Sequence, residues 1–119
     1  MHHYSLGDSE YRLLSIVWDH APIPSGQLVK LCQEQLGWKK STTYTQVKRL
    51  SDKGLLHNEN SVVTPLVPRD QVERHESDHF VERTFGGSFP GFVAAFLNGR
   101  TLTEAEAQEL KDLIDKHRG

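Results

Sequence analysis

The segment from Trp38 to Gly54 constrains the fold most strongly, because it combines a narrow apolar stripe with a broad polar face. At helical spacing, Thr43, Val47 and Leu50 fall on one side of a helix. Gly54 follows as a residue that can adopt the left-handed conformation with which many helices end. A helix with so narrow a stripe contacts its own protein along one edge, so most of its surface is available to solvent or a partner.

The polar face of this helix carries hydroxyls, an aromatic ring and cations. Residues 39–54 hold five cations and one anion, a net charge of +4, whereas the whole chain has a net charge of −2. A solvated amphipathic helix is one interpretation of this pattern. Hydroxyl donors framed by lysine and arginine also suit the DNA major groove, where phosphates flank the base edges. The candidate DNA-contacting residues are Lys39, Lys40, Ser41, Thr42, Tyr44, Thr45, Lys48 and Arg49.

Two further helices are predicted before this segment. The first runs from Asp8 to about His20, with acidic residues in its first turn, and Pro22 follows its end. The second runs from about Ser25 to Leu36. Two starts are open for it, because Pro24 can be its first helical residue or Ser25 its N-cap.

The periodicity changes from helical to extended after Gly54. Leu55-Leu56-His57 and Val62-Val63-Thr64 are β-prone runs on either side of Asn58-Glu59-Asn60-Ser61, which is typical of a turn. Three helices followed by a hairpin are the order of a winged helix-turn-helix. We therefore predict a mainly α fold with a small β-hairpin, in which residues 1–68 form a winged helix-turn-helix DNA-binding domain.

Residues 69–119 are predicted to form a helical dimerisation domain. Their helices are amphipathic but too few to enclose a core, and Thr103 and Glu106 form a capping box before the last one. The apolar residues can pack on the N-terminal domain or on a second copy. We favour the second copy, because an exposed aromatic stripe would be a liability. The candidate dimerisation residues are Phe80, Phe85, Phe89, Phe92, Val93, Phe96, Leu97, Leu110, Leu113 and Ile114.

His75, Glu76 and His79 form an HExxH motif, which on a helix can bind zinc with the glutamate as general base. A catalytic zinc helix needs a dry pocket and a well-separated third ligand, and a chain this short leaves little room for a substrate cleft. We favour a solvated helix face over adventitious metal binding or a protease. We predict no enzymatic activity, no catalytic residues, no metal ligands and no cofactor.

Cys32 is the single cysteine, so no internal disulfide can form, which fits a reducing cytosol. We expect this thiol in the core, where a free cysteine behaves as a small hydrophobe. No apolar run approaches 18 residues, and the first residues contain no signal-peptide core. A cytoplasmic protein without membrane contact is expected.

Several short motifs follow one another in an order and spacing that are specific as a set. The first half contains Leu6-x-x-x-Glu10, Val17-Trp18, Trp38-x-x-x-Thr42-x-x-Thr45, Arg49-Leu50, Lys53-Gly54-Leu55-Leu56 and Pro65-Leu66-Val67. The second half contains Glu76-Ser77-x-x-Phe80-Val81-x-Arg83-x-Phe85-Gly86-Gly87-Ser88, Phe96-Leu97 and Leu102-Thr103-x-x-Glu106-x-x-x-Leu110. Together they resemble the BlaI/MecI penicillinase-repressor family over nearly the whole chain. The resemblance implies a homodimeric repressor that binds a palindromic operator in double-stranded DNA and dimerises through its C-terminal helices.

Three features depart from that family's pattern. The wing, residues 57–64, contains no Lys or Arg, whereas the wings of the family usually carry basic residues. The bond at the position of the family's Asn–Phe cleavage site is Ala95–Phe96, and the paired C-terminal cysteines of the copper-responsive relatives are missing. A second interpretation therefore stays open: a winged-helix protein-interaction module that has lost DNA binding.

Overall fold

The computed structural model describes residues 6–119, which form six helices and one three-stranded antiparallel sheet. The elements are α1 (Asp8–His20), β1 (Ile23–Pro24), α2 (Ser25–Leu36), α3 (Lys40–Asp52), β2 (Leu56–Glu59), β3 (Val62–Pro65), α4 (Arg69–Phe85), α5 (Phe89–Leu97) and α6 (Glu104–Lys116). The predicted winged-helix fold class is confirmed. Residues 1–5, which belong to the predicted first domain and to the N-terminal stretch expected to contain no signal-peptide core, lie outside the described residues.

The chain divides into two compact units, one that ends at Ser77 and one that comprises Asp78–Gly119. The first unit has an apolar core to which α1, α2, α3, the sheet and the start of α4 all contribute. Its buried apolar residues are Leu13, Leu14, Ile16, Val17, Ile23, Leu28, Cys32, Val47, Leu50, Leu55, Leu56, Val63 and Val72.

The start of α4 is held against α1 by the side chain of Trp18. Its indole Nε1–H donates to the carbonyl of Val67 at 2.9 Å. The guanidinium of Arg69 lies 5.3 Å from the centre of the indole ring and donates to Asp19 at 2.6 Å. A cation over an indole face and a charge-assisted hydrogen bond both favour this arrangement. Together with buried Val72, these contacts add the first turn of α4 to the core of the first unit.

The end of α3 is closed by a Schellman motif. Gly54 has a φ of +79°, and its N–H donates to the carbonyl of Ser51 at 3.0 Å. The N–H of Leu55 donates to the carbonyl of Leu50 at 2.9 Å, and both leucines are buried. These are the paired hydrogen bonds and the apolar contact that define the motif. The predicted role of Gly54 is therefore confirmed.

The sheet contains one strand more than the predicted hairpin. β1 pairs with β3, so that Ile23 lies opposite Val63, and the strand order is β1-β3-β2. The predicted range of α2, Ser25 to Leu36, is confirmed, but both cap assignments are wrong, because Ser25 is the first helical residue and Pro24 stands at the N-cap position. The reason is tertiary: Pro24 is held in β1, and the N–H of Ser25 donates to the carbonyl of Ser61.

The wing ends in a two-residue turn. Asn60 and Ser61 have φ values of +52° and +61°, and Glu59 pairs with Val62 across the turn. Positive φ at both central residues is the property of a type I′ turn, whose twist matches that of the adjoining strands. The predicted hairpin is confirmed, with a turn that is shorter than the four residues expected.

The second unit contains a cluster of five phenylalanines around Phe92. The centre of its ring lies 5.6–6.3 Å from the centres of four others, in edge-to-face or tilted arrangements. The other members are Phe80, Phe85, Phe89 and Phe96. The predicted capping box at the start of α6 is also confirmed, because Thr103 and Glu106 exchange side-chain-to-backbone hydrogen bonds of 3.1 Å.

Replacing Leu50 with alanine tests the anchoring of α3 in the core. Leu50 is fully buried, so we expect Leu50→Ala to lower the free energy of unfolding by about 2–5 kcal/mol. Urea denaturation followed by circular dichroism at one protein concentration measures the change. Leu66→Ala is the matched control, because Leu66 is 54% exposed and should lose much less. Equal losses in the two variants would contradict the assigned core.

Candidate nucleic-acid interface

The predicted apolar stripe of α3 is confirmed, because Thr43, Val47 and Leu50 are the buried residues of this helix. The Thr43 hydroxyl donates to the carbonyl of Lys39 at 3.4 Å, so a buried polar group is satisfied within the turn. All eight candidate DNA-contacting residues lie on this helix or at its N-cap. Thr42 is half-buried, and the others are exposed: Lys39, Lys40, Ser41, Tyr44, Thr45, Lys48 and Arg49.

Two local contacts organise the side chains of the exposed face. The Lys40 ammonium lies 5.9 Å from the centre of the Tyr44 ring, which is at the outer limit of a cation–π contact. The Thr45 hydroxyl donates to the carbonyl of Ser41, one turn earlier, at 2.9 Å. The face thus presents an aromatic ring beside a cation, and next to them a hydroxyl whose proton is engaged within the helix.

The first turn of α3 departs from the usual chemistry of a helix start. Lys39 provides no side-chain cap, and the turn contains no acidic residue, although two lysines stand there. Cations at the positive end of a helix dipole are unfavourable, each by about 0.3–1 kcal/mol. By contrast, α6 has a capping box with Glu104 and Glu106 in its first turn. An anion bound at the start of α3 would relieve this unfavourable arrangement.

Lys53 also belongs to the basic segment of residues 39–54, but its side chain contacts another part of the protein. Its ammonium lies 2.7 Å from Oε2 of Glu10 and 2.9 Å from Oε1. Burial by itself raises the pKa of Glu10, but the hydrogen bonds from Lys53 and from the Gly7 amide lower it below its usual value of 4.5. The pair joins α1 to the residue that follows α3, and sequence spacing could not reveal a contact across 43 residues.

The wing contributes no cation to this surface. His57 and Glu59 of β2 form a pair at 3.1 Å, and both side chains are exposed. Asn58, Asn60 and Ser61 are exposed at the tip. The basic character of the candidate interface therefore comes from α3 and its N-cap, as the sequence indicates.

The HExxH residues lie on α4, where His75 and Glu76 are half-buried and His79 is exposed. Across residues 6–119, no three His, Cys, Asp or Glu side chains are grouped so that they could hold a metal ion. Glu76 instead lines a cavity of about 450 Å³ beside Tyr11 of α1. Burial raises the pKa of the Tyr11 phenol, and the carboxylates of Glu73 and Glu76 raise it further.

The predicted position of Cys32 in the core is confirmed, because this residue is fully buried. Burial raises the pKa of its thiol, although a hydrogen bond with Thr43 acts in the opposite direction.

In the described part of the chain, no helix is both long enough and apolar enough to cross a bilayer.

The fold is that of a winged-helix protein, and its α3 carries an exposed face with basic residues. The model of the penicillinase repressor family matches residues 6–116, and the chain therefore belongs to this family. The penicillinase repressor of Bacillus licheniformis is 25% identical over 117 residues, which cover 95% of this chain and 91% of the relative. The methicillin resistance regulatory protein MecI of Staphylococcus aureus (strain N315) is 23% identical, with 95% of both chains covered. The resemblance inferred from the motifs is confirmed, and the family is one of transcriptional repressors, not of enzymes.

The pair of Glu10 and Lys53 leads to a prediction about pH. Because the pKa of Glu10 is lowered on folding, its ionised form stabilises the native state above the unfolded pKa, and this contribution is lost as the pH falls through the folded pKa. We expect Glu10→Gln to be less stable than the wild type at pH 7 and to approach it below pH 4.5. Urea denaturation at a series of pH values measures the difference, and a difference independent of pH would contradict the prediction.

Proposed function

We propose that this repressor is a homodimer that binds a palindromic promoter operator, with α3 of each protomer in the major groove. The observation that carries the proposal is the exposed face of α3. It brings hydroxyls, an aromatic ring and cations together on a helix whose buried stripe consists of only three residues. Major-groove binding needs such a helix, because one edge must be held by the protein while the rest meets base edges and phosphates.

The residues of α3 divide by chemistry into two roles. Lys39, Lys40, Lys48 and Arg49 are the phosphate ligands, since cations flanking a groove-bound helix meet the two sugar-phosphate backbones. Ser41, Thr42, Tyr44 and Thr45 contact base edges or sugars. The uncapped first turn supports this assignment, because a phosphate there would accept hydrogen bonds from the free amides and offset the charge of the two lysines.

The exposed apolar side chains of the second unit support the proposal that the chain dimerises. Neither α5 nor α6 has a buried residue, although both carry large apolar side chains. Phe89 and Ile114 are each 61% exposed, Leu113 is 54% and Phe96 is 50% exposed. A second copy of the chain would remove this apolar surface from water, and each fully buried Leu, Ile or Phe contributes about 1.5–3 kcal/mol. The proposed interface consists of Phe80, Phe85, Phe89, Phe92, Val93, Phe96, Leu97, Leu110, Leu113 and Ile114.

The two-fold symmetry of the proposed dimer determines the symmetry and the spacing of its DNA half-sites. A symmetric dimer presents two copies of α3, so its half-sites are inverted repeats about one or two helical turns apart. Such a dimer bound at a promoter excludes the polymerase, and this exclusion is the proposed mechanism of repression. The chemistry requires no cofactor, since recognition uses hydrogen bonds, apolar contacts and ion pairs from the chain itself.

Replacing Lys48 with alanine tests the phosphate contacts. Each neutralised phosphate contributes about 0.9 to the slope of log affinity against log salt, because counterions are released. We expect Lys48→Ala to weaken binding to all duplexes and to reduce this slope by about one unit per protomer contact. Fluorescence anisotropy measures it, using a duplex that the full-length protein selects from a random library, together with a scrambled duplex.

Lys111→Ala is the matched control for Lys48→Ala, because Lys111 is an exposed lysine on α6, away from α3 in sequence. Its salt slope should equal that of the wild type. An unchanged slope for Lys48→Ala would remove Lys48 from the interface. If the wild type selects no sequence and shows no salt-dependent DNA binding, the interaction module suggested by a wing without Lys or Arg replaces the operator-binding proposal.

Replacing Leu113 and Ile114 with glutamine tests the dimer interface. We expect the double variant to be mainly monomeric at concentrations where the wild type is a dimer, because two exposed apolar contacts are lost from the interface. Glu109→Gln on the same helix is the control and should stay dimeric. Multi-angle light scattering measures the mass, and a double variant that remains dimeric would exclude this surface of α6 from the interface.

A further inference from the structure

The hydroxyl of Thr45, on the exposed face of α3, makes a hydrogen bond within the helix. Its Oγ1 lies 2.9 Å from the carbonyl oxygen of Ser41. A carbonyl can only accept, so the threonine hydroxyl is the donor and its single proton is engaged inside the helix. Thr45 itself is exposed, so the rest of its side chain remains accessible to a neighbouring molecule.

This hydrogen bond determines what Thr45 can offer to a base. The hydroxyl oxygen keeps lone pairs but has no free proton, so it can only accept a hydrogen bond while the contact with Ser41 persists. The other branch at Cβ is the γ-methyl group, which occupies a different staggered position from the hydroxyl. Toward a major groove, Thr45 therefore presents a methyl group and an acceptor, and no donor.

The donor and acceptor pattern of the groove matches this side chain best at an A·T pair. An A·T pair offers the adenine N6 donor and the thymine C5-methyl group, whereas a G·C pair offers the cytosine N4 donor and the guanine O6 and N7 acceptors but no methyl group. A residue without a free proton cannot donate to guanine. Thymine alone among the four bases carries a methyl group for apolar contact.

We infer that Thr45 is a specificity-determining residue that contacts a thymine C5-methyl group in each half-site through its γ-methyl group. The inference rests on the proposed function, since it requires α3 to lie in the major groove. It goes further by naming the base, the atom on that base and the branch of the side chain that meets it.

The test removes the methyl group from each side of the contact separately. The duplex selected by the wild-type protein is prepared with each thymine replaced in turn by uracil, which lacks only the C5-methyl group. We expect one replacement per half-site to weaken wild-type binding by about fourfold, the effect of one buried methyl group. Thr45→Ser removes the γ-methyl group and keeps the hydroxyl, so this variant should bind the thymine and uracil duplexes equally well at that position.

Two further variants separate the methyl contact from effects of the Thr45 hydroxyl and of the Ser41 side chain. Thr45→Val keeps a γ-methyl group and loses the hydroxyl, so it should still prefer thymine over uracil. Ser41→Ala loses a proposed DNA contact, so its overall affinity should fall, but it keeps the backbone carbonyl that accepts from Thr45, so the ratio of its affinities for the thymine and uracil duplexes should equal that of the wild type. Fluorescence anisotropy at one salt concentration gives all the ratios, and each compares two duplexes with the same protein, so a change in overall stability cancels.

Each outcome decides the inference. Loss of discrimination in Thr45→Ser but not in Thr45→Val or Ser41→Ala supports it. Discrimination that persists in Thr45→Ser, or that disappears in Thr45→Val, overturns it, as does a selected duplex in which no uracil weakens wild-type binding. If the wild type selects no sequence at all, the proposed function itself fails, which distinguishes that failure from failure of the thymine contact alone.

Discussion

The structure of the first unit depends on the way in which three residues hold α3 to the core. Thr43, Val47 and Leu50 are buried, and the Schellman motif after Leu50 adds Leu55 to the same core. Because this anchor is narrow, seven of the other ten positions of α3 are exposed: Lys40, Ser41, Tyr44, Thr45, Lys48, Arg49 and Asp52. A recognition helix needs this combination: its orientation is determined by a rigid core, while its outward face can vary with the DNA sequence.

The first turn of α3 is a locally unfavourable helix start. Two lysines at an uncapped helix start are unfavourable for the isolated helix, whereas the capping box of α6 shows that the chain can build a favourable start elsewhere. A departure of this kind at an exposed position is typical of a functional site. Because the wing contains no Lys or Arg, the basic residues of the candidate interface are confined to α3 and its N-cap.

The second unit distributes its apolar residues between internal packing and exposed surface. Phe92 lies at the centre of the phenylalanine cluster of its own chain, whereas Leu110, Leu113 and Ile114 of α6 remain exposed. Phe89 and Phe96 belong to the cluster and are also exposed. These two groups have different consequences for mutational work. A change at Phe92 disturbs the unit itself, while changes at Leu113 or Ile114 act on surface that is exposed in the single chain.

The sequence by itself determined the features that depend on local interactions. Helical spacing identified the stripe of α3, the glycine rule identified the turn at Gly54, and the capping box identified the start of α6, because each involves residues within one or two turns. The hydrogen bond from Thr45 to Ser41 is also local, at a spacing of four residues, although the pattern of residue types alone does not reveal which rotamer is adopted.

Only the tertiary structure decided the features that join distant parts of the chain. β1 exists because Ile23 pairs with Val63, forty residues away, and a two-residue strand has no periodicity of its own. Likewise, Lys53 belongs by composition to the basic segment, but its contact with Glu10 turns it toward the protein. Strand pairing and ion pairing are set by which surfaces the core brings together, and this information lies in the packed fold rather than in any short stretch of the chain.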